Sequence, residues 1–216
     1  MKSLQLKYLY NPPLLIKLLF KDFIWESQQP KILFTFDDGP TLETTDIILR
    51  RLNDLNVKSI FFCVGENAKH NPGLIKEVLS EGHEIGNHTY NHEVITRLNN
   101  TEFNNQIDLF NRLLEDNHNY TVKYFRPPHG RFNFHTQKIL AEKKIINVMW
   151  SLLSYDYTND LNIVNFAIRK YLNSNSIIVL HDSRKSKKII VDSINLIMEE
   201  VNKKGLEIGK PAECLR

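Results

Sequence analysis

The chain has 216 residues, of which 42% are hydrophobic and 25% charged, and a net charge of +3. That length supports one substantial core and suits a single α/β domain, while the charge is too small, and Lys and Asp/Glu too evenly interspersed, for a nucleic-acid partner. Two distant cysteines, Cys63 and Cys214, make neither a disulfide framework nor a Cys-x-x-Cys metal clip, and Cys63, inside the apolar run Ile60 to Val64, reads as a small core hydrophobe.

The first segment, Leu14 to Trp25, is strongly apolar and follows Lys2 and Lys7, which gives it the look of a signal peptide. Yet Pro12-Pro13 opens it, Lys17, Lys21 and Asp22 interrupt it, and no small-residue cleavage site follows. It is also too short and too charged to span a bilayer. The expectation is therefore a cytoplasmic location, with the inner-membrane surface or export as alternatives. Leu14, Leu15, Leu18, Leu19 and Phe23 share one helical face, so an amphipathic helix packed on the body of the domain is expected, and peripheral membrane contact through 14–25 is the sharper alternative. The chain divides into a helical extension over 1–29 and one domain over 30–216.

Ile32 to Phe36 predicts a buried strand that ends at Asp37-Asp38, and the breaker pair Gly39-Pro40 precedes a helix over Leu42 to Leu55. Strand Ser59 to Val64, helix Pro72 to Ser80 and a short strand within Gly82 to His88 follow. Next come a long amphipathic helix from Asn100 to Asp116 and a brief strand from Lys123 to Arg126, stopped by Pro127-Pro128. Helix Thr136 to Lys143, strand Ile145 to Trp150, helix Leu161 to Leu172, strand Ser176 to Leu180 and a last helix near Lys187 to Lys203 complete the alternation. Alternating strands and helices imply a parallel sheet with crossovers, and six strands plus irregular extended pieces fit an incomplete (β/α) barrel.

The polar groups fall where such a fold does chemistry. Asp37 and Asp38, His88 and His92, Arg126, Asp156 and His181 each follow a predicted strand, so they converge on one face. Adjacent acids at a strand end point opposite ways and suit two jobs, one metal ligand and one general base. By itself Asp-Asp-Gly-Pro is also a good capping turn. His88 and His92 are four apart, the spacing that puts two imidazoles on one face of a helical turn. With one carboxylate of the Asp pair they form a His, His, Asp ligand set that leaves positions open for water and substrate, as catalytic sites for Zn²⁺ or another first-row divalent ion do.

These residues carry a resemblance to the polysaccharide deacetylase family, the NodB-homology carbohydrate esterases of family 4. Thr35-Phe36-Asp37-Asp38-Gly39-Pro40 matches its first motif, His88-Thr89-Tyr90-Asn91-His92 the second, Arg126-Pro127-Pro128-His129-Gly130 the third, and Ile178-Val179-Leu180-His181-Asp182 the fifth. The resemblance covers about Lys31 to Asp182 and implies about seven parallel strands in the barrel and metal-dependent removal of acetyl groups, N-acetyl first, from an amino-sugar glycan or its precursor. It implies Asp37 as general base toward metal-activated water, Asp38, His88 and His92 as ligands of one ion (Zn²⁺, with Co²⁺, Ni²⁺ or Mn²⁺ as alternatives), and Arg126 as the partner of Asp37. It further implies the His129 backbone N–H as an oxyanion donor, His181 as general acid, Asp156 as its orienting acid, and Pro128, Tyr157 and Leu180 beside His129 as substrate contacts. A monomer acting on an acetylated oligosaccharide is expected.

The fourth motif departs from the family pattern: Leu153 stands for its first acid and Tyr157 for its Trp, and in the third motif His129 stands for Tyr. These changes bear on substrate identity more than on catalysis, and imply a glycan outside the commonest chitin and peptidoglycan substrates. His83 reads as a packed strand residue, His70, His118 and His135 as surface, Trp25 as core, and Trp150 as core with a sugar-stacking platform as the alternative. Two competing functions are a catalytically silent carbohydrate- or metal-binding protein on the same fold and a hydrolase of a small non-glycan amide.

Overall fold

The computed structural model describes residues 9–215, so Lys2, Lys7 and the rest of the first eight positions of the expected extension lie outside the described residues. Seven strands form one parallel sheet: β1 (Leu33–Asp37), β2 (Ile60–Cys63), β3 (Glu84–Asn87), β4 (Tyr124–Phe125), β5 (Ile146–Asn147), β6 (Leu152–Leu153) and β7 (Ile177–His181), in the order β5-β4-β3-β2-β1-β7-β6. The long central strands read as near-continuous apolar runs because both their faces are covered, as parallel sheets require. One face packs under the helices through Phe34, Phe36, Phe61, Leu180, Ile194 and Ile197. The other holds Leu33, Ile60, Phe62 and Ile177 with Cys214 and Leu215.

The sheet is curled almost shut. β5 and β6 sit at opposite edges, yet only residues 148–151 separate them. Five residue steps span at most about 17 Å, whereas six strand spacings in a flat sheet amount to about 28 Å. This is also why the strand expected over Ile145 to Trp150 covers only Ile146–Asn147 and a second short strand, Leu152–Leu153, follows beyond it: the chain leaves one edge of the half-barrel and joins the other. Of the remaining elements, helix Pro72–Ser80 matches its expected bounds, while Gly65–His70 and Pro211–Cys214 are short helices that the periodicity did not show.

The segment before β1 contacts the domain differently from expectation. Its helix covers only Leu14–Leu19, none of its residues is buried, and the leucine face is exposed, Leu14 at 70%. Contact is made instead by Phe20, Phe23 and Trp25, which pack with Met149 and Phe132, and by Ile24, which bridges to Val148 at the barrel's edge. Among the described residues no helix is long and apolar enough to cross a membrane.

Candidate active site

Register alone gathers the chemistry. Asp37 lies opposite His181 on β7 and Phe62 on β2, Cys63 lies opposite Asn87, and Asn87 lies opposite Phe125, so the residues at and just beyond the carboxyl ends of β1, β3, β4 and β7 meet at one rim. The loops at that rim are held in an unusual backbone conformation. Nine non-glycine residues among those described have positive φ, and five of them, Asp38, Thr89, His92, His129 and Tyr155, belong to this site. Such φ values cost energy and persist where surrounding bonds over-determine them, a pattern that points to function.

Asp37 faces a buried cation. Arg126, fully buried, donates from Nη1 to Asp37 Oδ1 at 2.7 Å and to Thr35 Oγ1 at 2.7 Å. Its Nε donates to the Val148 carbonyl and its Nη2 to the Met149 carbonyl, both at 2.8 Å, and the guanidinium lies 4.1 Å from the centre of the Phe62 ring. One side chain therefore ties β1 and β4 to the β5–β6 crossing, and it places the Asp37 carboxylate.

Asp38 turns away from Asp37, because its φ of 78° ends the strand. Its Oδ1 is 3.1 Å from His92 Nε2 and 3.6 Å from His88 Nε2, and one ligand atom from each of the three residues fits within 4.8 Å of the others. His88 Nδ1 donates to the Arg126 carbonyl at 2.7 Å, which fixes the tautomer with a bare Nε2 facing Asp38. Burial pushes the His88 ring down to about 4, so it is neutral near pH 7, the form that binds a metal. Burial alone would raise the Asp38 carboxyl, but the hydrogen bond with His92 and the nearby histidines hold it below the carboxylate range. Two imidazoles and a carboxylate with an open side fit Zn²⁺ or a similar first-row ion.

The two histidines do not share a helical turn, as their spacing had implied. Residues 88–92 form a loop with Thr89 and His92 in the left-handed region, and it is pinned from outside. Gln106, on helix Asn100–His118, accepts the backbone N–H groups of Tyr90 and Asn91 at 2.9 and 2.8 Å. Asn87 accepts the Thr89 N–H and donates to Asn111 and to the Ile107 carbonyl.

On the opposite side, His181 Nδ1 is 2.7 Å from Asp156 Oδ1, and Asp156 Oδ2 accepts the His181 backbone N–H. Burial disfavours the charged ring, but the charge and hydrogen bond of Asp156, followed by the charges of Asp38 and Asp37, push His181 up to about 9. Its neighbour Asp182 is fully buried. It accepts from the Thr45 hydroxyl at 2.6 Å and the Thr41 hydroxyl at 3.1 Å, while its own N–H donates to the Asp37 carbonyl at 2.8 Å. A Cβ at Gly39 would sit 2.1 Å from Asp182 Oδ2, so only glycine lets the loop close this tightly.

These groups surround a cleft of about 300 Å³ that Tyr157, His129, Trp150, Leu153 and Pro127 also line. A larger groove of about 650 Å³, between Phe23, helix Phe134–Glu142 and β5, shares no residue with it. Tyr157 and His129 thus line the cleft, but two of the other expected substrate contacts are elsewhere. Leu180 is fully buried in the core under the helices, because alternation along β7 turns Val179 and His181 to the cleft and Leu180 away. Pro128 is buried, and Pro127 takes its place on the wall. Trp150 is wall rather than core. His83 is packed, with its Nδ1 accepting from the Ser59 N–H, and Trp25 is buried. His70 and His135 are exposed, and His118 is half-buried.

A family model described as polysaccharide deacetylase matches residues 26–148. A peptidoglycan-N-acetylglucosamine deacetylase of Bacillus cereus is 40% identical over 127 residues, covering 59% of this chain and 46% of its own length. A second protein of that name from the same organism is 33% identical over 202 residues, covering 89% of this chain and 92% of its own. The chain thus spans less than half of the first relative and nearly all of the second. A crystal structure of a peptidoglycan N-acetylglucosamine deacetylase in complex with 4-naphthalen-1-yl-N-oxidanyl-benzamide superposes with a TM-score of 0.86 at 29% identity, covering 94% of this chain and 96% of that one.

Proposed function

The chain belongs to the polysaccharide deacetylase family, and on that premise we propose that it hydrolyses N-acetyl groups of an amino-sugar glycan or glycan precursor. The observation that carries the reading is the pairing on either side of one cleft: Asp37 with buried Arg126, and His181 with buried Asp156. The names of the two Bacillus cereus relatives support N-acetylglucosamine as the sugar.

Amide hydrolysis needs a base for the attacking water and an acid for the leaving nitrogen. Asp37, held by Arg126, takes the water proton. His181, charged near neutral pH and oriented through Nδ1 by Asp156, presents Nε2 and gives its proton to the amine as the C–N bond breaks. Asp38, His88 and His92 would hold a divalent ion, which polarises the acetyl carbonyl and lowers the pKa of water to about 7 when bound. The backbone N–H of His129, in the 3₁₀ turn Pro128–Gly130 beside the cleft, would donate to the developing oxyanion. Trp150 and Tyr157 line the cleft as the aromatic residues available to a sugar.

A silent binding protein would be expected to lack the base, the acid or a ligand, and all are present. The test is acetate release from a panel of acetylated oligosaccharides that includes chitin and peptidoglycan fragments, using protein stripped of metal and resupplied with Zn²⁺ or Co²⁺. Metal-dependent release supports the reading and names the substrate. Tight stoichiometric metal binding with no release from any member contradicts it.

A further inference from the structure

Three loop segments beside the cleft carry a charge far more one-sided than the net charge of the chain. Residues 88–99, 127–135 and 183–189 each contribute side chains to the cleft or to the groove that adjoins it at His129. Together they carry Arg97, Arg131, Arg184, Lys185, Lys187 and Lys188 against a single acid, Glu93. All six cations are exposed. Lys187 is neutralised by Glu43 at 2.7 Å, while among the described residues Arg97, Arg131 and Lys185 make no salt bridge.

Two of these unpaired cations are organised into a binding surface. A groove of about 490 Å³ is lined by Val94, Thr96, Arg97, His129 and Arg131. His129 also lines the catalytic cleft, and so does Lys185. The groove therefore continues the cleft, with guanidinium groups along it and an ammonium at the cleft itself. A cleft bordered by one sign of charge raises the local concentration of the opposite sign. Guanidinium forks match carboxylate and phosphate oxygens in particular.

We propose that this groove is a subsite for an acidic group, a carboxylate or a phosphate, carried by a sugar next to the one that is deacetylated. A neutral homopolymer would leave Arg97, Arg131 and Lys185 facing uncharged hydroxyls, whereas an anionic glycan satisfies them and fixes which residue of the chain reaches His181 and Asp37. The inference rests on the deacetylase reading and goes further by naming the charge class of the substrate.

The experiment compares kcat/KM for three oligosaccharides of equal length. One is a neutral N-acetylglucosamine oligomer, one alternates N-acetylglucosamine with a carboxylate-bearing sugar, and one bears a phosphate monoester. Each is assayed at low and high salt with the wild type, the Arg97→Gln/Arg131→Gln double variant and a Lys138→Gln control in the unrelated groove. Both arginines are exposed, so folding is not at stake. The expected result is a preference of roughly tenfold for an acidic substrate, the scale of two charge-assisted contacts. That preference should shrink with salt and in the double variant, mainly through KM, and persist in the control. Whichever acidic substrate is preferred identifies the group. Equal use of neutral and acidic substrates by the wild type, or a preference that survives in the double variant, overturns the subsite and leaves the deacetylase intact. Acetate release from none of the three overturns the deacetylase reading itself, and the subsite with it.

Discussion

Arg126 and Asp37 form an ion pair of 2.7 Å between side chains that are 0% and 7% exposed, and the arginine directs three of its four remaining N–H donors at other oxygens, those of Thr35, Val148 and Met149. A cation this enclosed is stable only while its charge is matched, because an unpaired buried charge is far costlier than the pair is favourable. Stability and the placing of the Asp37 carboxylate are therefore one feature here.

Replacing Arg126 with Gln should destabilise the fold by roughly 3–5 kcal/mol, the range for breaking a buried pair. Arg126→Lys should recover little of it, since an ammonium cannot reach Thr35, Asp37 and two carbonyls at once. Urea unfolding of both variants measures this; a loss under about 1 kcal/mol would show that the pair is not fully desolvated.

The second dyad carries a pH signature. His181 is pushed up to about 9 from its ordinary 6.5, with Asp156 the largest cause that raises it. A raised histidine stabilises the fold fully below its unfolded value, and that contribution is lost as pH rises from 6.5 through about 9. Asp156→Asn should shift the His181 titration of the metal-free protein to lower pH and flatten the loss of stability across that window. Imidazole NMR shifts and thermal midpoints between pH 6 and 10 give the readout. An unchanged titration would mean that Asp156 does not hold the charge.

Asp182 runs the other way. Burial pushes its carboxyl up to about 7, against the two threonine hydroxyl bonds. For an acid raised above its unfolded value of 3.8, stability is lost as pH rises from there through about 7, because the folded protein must ionise a buried group. Asp182→Asn copies the neutral acid in shape and keeps partners for Thr41 and Thr45. It should gain stability relative to wild type between pH 5 and pH 8.5, and a gap that stays constant with pH would contradict this.

Gln106 is the anchor of the loop that carries both histidines. Gln106→Ala leaves two backbone N–H groups without an acceptor and should lower zinc affinity about tenfold, the lower range for groups that orient ligands. Global stability should fall by only about 1–3 kcal/mol, as expected for losing a buried acceptor. Competitive zinc titration tests it; full affinity would mean that the loop holds itself.

Most of the site was legible because its parts sit at strand ends, where chain order already says which face they share. Asp37, Asp38, Arg126 and His181 needed only the apolar run or the breaker beside them. What was not legible depends on contacts between distant elements. Nothing in the spacing of His88 and His92 shows a loop pinned by Gln106 rather than a helical turn. The role of Asp182 emerges only when Gly39 packs against it. Leu180 illustrates the period-two rule in reverse: it stands beside His181 in the motif and for that reason faces the core. The exposed leucines at Leu14 to Leu19 carry a helical pattern as good as any in the chain, and the aromatic residues after them made the contact instead.

The two adjacent acids are assigned different tasks, and the most direct measurement separates them. Zinc stoichiometry and acetate release from an acetylated oligosaccharide are measured side by side for the wild type, Asp37→Asn and Asp38→Asn. The account predicts that Asp37→Asn binds one zinc and releases no acetate above background, whereas Asp38→Asn loses tight zinc binding and activity together. An Asp37→Asn protein that keeps near-full turnover, or an Asp38→Asn protein that holds zinc as the wild type does, would contradict it.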